Sequence, residues 1–186
     1  MKYAIVTGGA RGLGLGIVRA LLDEKAVDQV AVIDLKLAPP PAEIAGKVHG
    51  FTADATDEAQ VHAAVEAIAA KLGPHPDVLC NNAGGGEANW FEKGRQEEWH
   101  SVEIWRRYVE LNLNSVYLVS KEVVPRMKSG AAVCNTSSKR TNLRALDHCG
   151  GNAFATASPS AASLVNKNCG RQSSIIAASS PGACRA

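Results

Sequence analysis

The chain has 186 residues, 46% apolar and 20% charged, with a formal net charge of +2, enough for one domain with a substantial core. The basic residues are scattered, only Arg106–Arg107 and Lys139–Arg140 being adjacent, which argues against a nucleic-acid partner. No apolar run approaches the roughly 20 residues that a membrane span requires, which argues against a membrane protein.

Residues 2–7 (KYAIVT) form an apolar run ending in glycines, as a buried parallel strand should. The strand begins so early that it leaves no room for a leader, so a cytoplasmic protein is expected. Residues 13–24 predict a helix whose inner face holds Leu13, Ile17 and Leu21, with Val18 and Leu22 beside them. A second strand follows at 29–34 (QVAVID), then a loop through Pro39-Pro40-Pro41 and a third strand at 48–53. Asp57, with Gln60 three residues on, reads as the cap of a helix that buries Val61, Val65, Ile68 and Leu72 and stops at Gly73-Pro74. Residues 77–80 predict a fourth strand, 85–100 an irregular segment, and 102–127 one long helix with Ile104, Tyr108, Leu111, Ser115 and Leu118 on one side. A fifth strand is expected at 131–136 and a sixth at 174–179, with a helix near 160–168. The rhythm predicts a single α/β domain, residues 1–186: a Rossmann-like, doubly wound parallel sheet with helices on both faces, irregular after 139.

Five cysteines, Cys80, Cys134, Cys149, Cys169 and Cys184, form no CxxC pair and read as free thiols. Cys149 beside His148 is too sparse for zinc, so no metal is expected.

The most informative segment is Thr7-Gly8-Gly9-Ala10-Arg11-Gly12-Leu13-Gly14, between the first strand and the first helix. Glycines permit a tight turn and close approach to a ligand. The helix that follows offers free N–H groups and a positive dipole end to a pyrophosphate. Asp34 lies twenty residues after Gly14, at the end of the second strand. A carboxylate there accepts ribose hydroxyls and repels a 2′-phosphate, favouring NAD over NADP. Arg11 attracts phosphate and works against that preference. The plainer reading of Asp34 is a strand cap.

At this point the chain resembles the short-chain dehydrogenase/reductase family in its single-domain form. Thr7, Gly8, Gly12 and Gly14 give that family's TGxxxGxG spacing, and four further motifs follow in order, with a weaker echo at the end. Asp54 is similar to the acid placed against adenine. Asn81-Asn82-Ala83-Gly84 resembles the NNAG motif that stabilises the sheet and lines the cofactor site. Leu111-Asn112-Leu113 resembles the helix segment whose asparagine supports a proton relay. Asn135-Thr136-Ser137-Ser138 resembles the segment carrying the catalytic serine, here Ser138. Pro181-Gly182 resembles a PG segment on the nicotinamide side.

The resemblance implies hydride transfer between NAD and a small secondary alcohol or ketone. It implies Ser138 and Asn112 as catalytic groups, and Thr7, Gly8, Arg11, Gly12, Leu13, Gly14, Asp34, Asp54, Asn82, Gly84, Pro181 and Gly182 as cofactor contacts. It also implies a homo-oligomer, dimer or tetramer, built on the long helix. The plainer readings are a local strand-end hydroxyl for Ser138 and a buried amide bracing the helix for Asn112.

The family's tyrosine, with a lysine four residues on, is missing: the tyrosines are Tyr3, Tyr108 and Tyr117, and none follows Ser138. One register sets Phe154 and Ser158 at those places, another Ala157 and Ala161. Three explanations stand at this point. A reading-frame shift after 139 has altered an ordinary dehydrogenase, or the chain binds NAD without turnover as a sensor or partner subunit, or other groups do the work. Trp90, Phe91 and Trp99 either cover a pocket or pack.

Overall fold

The computed structural model describes residues 1–85 and 101–137, together with the backbone of a strand at 175–178. Five strands run parallel: β1 (Tyr3–Thr7), β2 (Gln29–Asp34), β3 (Val48–Thr52), β4 (Val78–Asn81) and β5 (Ala132–Thr136). The sheet order is β3-β2-β1-β4-β5-β6, with β6 (Ile175–Ala178) at the edge. The expected sixth strand exists, but it pairs antiparallel with β5, so the sheet is mixed at that edge. An apolar run does not encode strand direction, and antiparallel edge strands on parallel sheets are common.

Side chains alternate across the sheet. Ala4, Val6, Val30 and Val32 face α1 (Gly12–Asp23), where Ile17, Val18, Leu21 and Leu22 meet them. Tyr3, Ile5, Ala31 and Ile33 face the other way, toward α2 (Glu58–Leu72), which supplies Val61, Val65, Ile68 and Leu72. The strands are continuously apolar because both faces are covered. Leu13, read from the sequence as core, is 42% exposed. It sits in the first turn of α1, beyond the sheet it was expected to cover.

Asp57 caps α2 as expected, accepting the Gln60 amide at 3.0 Å, and Gly73 ends the helix with φ of 107°. The expected helix over 102–127 is not uniform. It comprises α3 (Val102–Val109), a π-helical turn (Glu110–Asn114), α4 (Ser115–Val123) and a 3-10 turn (Val124–Arg126). Ser115 is buried as expected, but beyond the wider turn α4 continues the inner face with Val119 and Val123 rather than Leu118. α4 is tied to α2 by Lys121–Glu58 and His62–Glu122 pairs, and the 3-10 turn by Arg126–Glu66.

Among the described residues no helix is long and apolar enough to cross a membrane, and no group of three or more His, Cys, Asp or Glu gathers for a metal. The expected helix near 160–168, and Cys149, Cys169, Cys184 and His148, lie outside the described residues.

Candidate nucleotide-binding site

The sequence-predicted residues that fall among the described ones gather at the C-terminal ends of the parallel strands. Neighbouring β1 and β4 mark the point where chain order reverses, from β3-β2-β1 on one side to β4-β5 on the other. Ligands of open α/β sheets bind in the crevice at such a point.

Leaving β1, Gly8 takes φ of 64° and donates its amide to the Ile33 carbonyl at 2.8 Å. A Cβ at Gly8 would come within 3.0 Å of the Ala83 Cα; one at Gly14 would lie 1.9 Å from the Gly8 carbonyl oxygen. Gly12 also has positive φ, 55°. Glycine therefore lets α1 start directly on top of the turn. No side chain caps this helix, and its first turn holds no acid. The amides of Gly12, Leu13 and Gly14 thus head the helix with the positive dipole end unneutralised. Arg11 is exposed at the N-cap, its carbonyl accepting the Leu15 amide at 3.1 Å while its guanidinium has no partner among the described residues.

Asn82 fastens the turn from β4, its Nδ2 donating to the carbonyls of Thr7 (3.2 Å) and Gly8 (3.1 Å). In return the buried Thr7 Oγ1 accepts the amides of Asn82 (3.0 Å) and Ala83 (2.9 Å). Asp34 holds the other side: one carboxylate oxygen accepts the Ala10 amide at 3.1 Å and the second the Lys36 amide at 3.2 Å. Its role is thus wider than capping a strand, since it links β2 to the glycine turn.

Asp54 follows β3, which ends beside β2 with Thr52 opposite Asp34. Its Oδ1 accepts the Thr56 amide (2.8 Å) and hydroxyl (2.7 Å), and its own amide donates to Gln60 Oε1 at 3.0 Å. Neither Thr56 nor Gln60 belongs to a motif that marks the site in the sequence. Gln60, expected as half of a capping box, also reaches past the cap to the Asp54 amide.

Asn112 lies in the π turn and clamps one residue on both sides. Its Oδ1 accepts the Gly85 amide at 2.7 Å, and its Nδ2 donates to the Gly85 carbonyl at 2.9 Å and to the Tyr108 carbonyl at 3.0 Å. It is exposed rather than the buried brace of the plainer reading. A Cβ at Gly84 would lie 2.9 Å from the Asn112 Oδ1, so a side chain there would push the clamping amide aside. Beneath it, the Asn81 Nδ2 donates to Ser120 Oγ (3.0 Å) and Asn135 Oδ1 (2.9 Å), joining β4, β5 and α4.

Ser138, Pro181 and Gly182 lie outside the described residues, as do Trp90, Phe91 and Trp99. Two tyrosines have phenols that are harder to ionise. Burial pushes Tyr108 up, and burial together with Asp77 holds Tyr3 at about 12, its hydroxyl donating to the Gly73 carbonyl.

An open parallel sheet with a glycine turn at its switch point and an acid ending β2 defines a Rossmann-type dinucleotide-binding protein. The family model of short chain dehydrogenase matches residues 2–149. The chain belongs to that family, whose fold carries a nicotinamide cofactor.

The chain is 33% identical over 150 residues to a 3alpha-hydroxysteroid dehydrogenase of Mediterraneibacter gnavus, covering 74% of this chain and 55% of that one. It is 32% identical over 154 residues to a D-threitol dehydrogenase of Mycolicibacterium smegmatis, covering 78% and 55%. A 3-ketoacyl-(acyl-carrier-protein) reductase from Brucella melitensis, solved in complex with NADH, aligns with a TM-score of 0.53 and 30% identity over 67% of this chain and 50% of that one. The chain spans about half the length of the curated relatives it matches.

Proposed function

We propose that this chain is the nucleotide-binding domain of an NAD-preferring oxidoreductase acting on secondary alcohols or ketones. The observation that carries the reading is the uncapped head of α1 over a glycine turn tied to Asp34. The residues fit the cofactor: the cradle has no room for a Cβ at Gly14, and its amides and Arg11 suit a diphosphate.

The amides of Gly12, Leu13 and Gly14, with Arg11, would hold the pyrophosphate. Asp34 would take the ribose hydroxyls and Asp54 the adenine, while Thr7, Gly8, Asn82 and Gly84 shape the floor. Pro181-Gly182 would lie at the nicotinamide side. Each Asp34 oxygen retains a lone pair beyond its backbone bond, and its charge disfavours a 2′-phosphate.

When bound, the nicotinamide supplies the hydride donor or acceptor. Ser138 would hold the substrate oxygen. Asn112 would position Gly84 and Gly85 beneath the cofactor and support the relay. The relatives' names include a steroid and a tetritol dehydrogenase, which supports the alcohol class without choosing within it.

The exposed stripe of Trp105, Leu113, Tyr117 and Val124 supports a homo-oligomer on α3 and α4. A cytoplasmic protein is part of the same proposal.

The absence of a tyrosine after Ser138 favours a second reading, a nucleotide-binding protein without turnover. Titration with NADH and NADPH, followed by nicotinamide fluorescence, tests the first claim. Tighter NADH binding, with an NADH-linked rise in melting temperature, is expected. Failure to bind either nucleotide overturns both readings. NAD reduction with a panel of secondary alcohols separates them, since any turnover excludes the second.

A further inference from the structure

Cys80 and Cys134 stand opposite each other across β4 and β5, on the face that packs toward α1. Both are free thiols, only 1% and 4% exposed. Neighbouring strands lie about 4.8 Å apart, within the roughly 4.4–6.8 Å between Cα atoms that a disulfide spans. Being paired in register and buried in the same cluster, the two side chains lie side by side on one face of the sheet. Neither thiol belongs to the nucleotide site, but the next residues, Asn81 and Asn135, form the amide pair beneath it.

We propose that Cys80 and Cys134 form a redox-closable dithiol, which a peroxide converts to a disulfide stapling together the two strands that end at the site.

The neighbouring Cys80 thiol lowers the pKa of Cys134, while interaction with Cys134 and burial push the Cys80 thiol up. Cys134 is therefore the attacking sulfur. Its thiolate displaces hydroxide from hydrogen peroxide, giving a sulfenic acid, and the hydroxide takes up the proton that Cys134 released. The Cys80 thiol then gives up its proton and attacks the Cys134 sulfur, and the sulfenic oxygen leaves as a second water. Two thiols and one peroxide become one disulfide and two waters. The burial makes closure slow, because the oxidant enters only when the β5 side of the sheet opens.

The test uses the whole chain carrying Cys149→Ser, Cys169→Ser and Cys184→Ser. The folded protein is treated with hydrogen peroxide, alkylated and digested with trypsin without reductant. Cys80 falls in the peptide 72–93 and Cys134 in 129–139, each holding a single cysteine. The expected product is this peptide pair, two hydrogens lighter than its parts. It should be absent in Cys134→Ser, or in Cys80→Ala should the first variant not fold. A higher melting temperature should accompany the link, and dithiothreitol should reverse both. The proposal is overturned if both thiols stay alkylatable after denaturation, or if the pair links only when peroxide is added in urea.

Discussion

Replacing Gly14 by alanine puts one methyl group where the helix start rests on the glycine turn. The added Cβ would sit 1.9 Å from the Gly8 carbonyl oxygen and 2.7 Å from the Asn82 Nδ2. Real Cβ contacts do not fall below 3.0 Å, so the helix head or the Gly8 carbonyl must retreat by about 1.1 Å. Neither yields easily, since the Gly8 amide is bonded to Ile33 and its carbonyl to Asn82. Overpacking of this kind costs about 1–3 kcal/mol, and the loss should fall on the cradle as well as on stability. NADH affinity should drop by about fivefold to a hundredfold if the whole cost falls on the cradle, each tenfold being about 1.4 kcal/mol.

Gly16, two residues along the same helix, has nothing within 4 Å of its added Cβ. Gly16→Ala should therefore stabilise by about 0.5–1 kcal/mol, the helix-interior cost of glycine, and leave NADH binding unchanged. Urea unfolding and fluorescence titration of both variants decide the matter. The reasoning fails if Gly14→Ala unfolds and binds like the parent, or if Gly16→Ala loses as much as Gly14→Ala.

Lys25, just past α1, holds φ of 55° while its amide and that of Ala26 bond back to Leu22 and Leu21. Lys25→Gly should raise the urea midpoint by an amount worth up to about 1 kcal/mol, and a lowered midpoint would refute the strain. Tyr3 has its pKa raised from 10.0 to about 12. Because the folded value is the higher one, this contribution to stability is complete below pH 10 and disappears as pH climbs toward 12. Tyr3→Phe should cost about 1 kcal/mol at neutral pH, where the Gly73 carbonyl loses its donor. It should also flatten the loss of stability between pH 10 and 12, and an unchanged alkaline slope would count against the assignment. Thr7→Val keeps the shape but strips the acceptor from the Asn82 and Ala83 amides, at about 1–3 kcal/mol for each amide left unpaired. Thr7→Ser should recover most of that loss in thermal melts, and equal behaviour of the two variants would contradict the hydroxyl's role.

The legible parts were those whose physics is local. Buried parallel strands must be apolar on both faces, so YAIVT and QVAVID read directly, and Asp57 with Gly73-Pro74 marks both ends of α2. The π turn was not legible. Ile104, Tyr108, Leu111, Ser115 and Leu118 keep an unbroken helical period, and only packing against β4 and α2 moves the buried face to Val119 and Val123. The direction of β6 and the exposure of Leu13 were hidden for the same reason: each depends on what lies opposite.

The glycine turn was visible as a motif, but what makes it a cradle is not within it. Its geometry is held by Asn82 and Ala83, 75 and 76 residues from Thr7, and by Asp34 reaching back 24 residues to Ala10. Motifs that look separate along the chain therefore form one hydrogen-bonded unit. Asn82 acts through the turn it fastens, and Asp34 shapes that turn as well as offering its charge. A substitution at either should consequently change pyrophosphate-side and ribose-side binding together, because the two halves of the cradle share the same backbone.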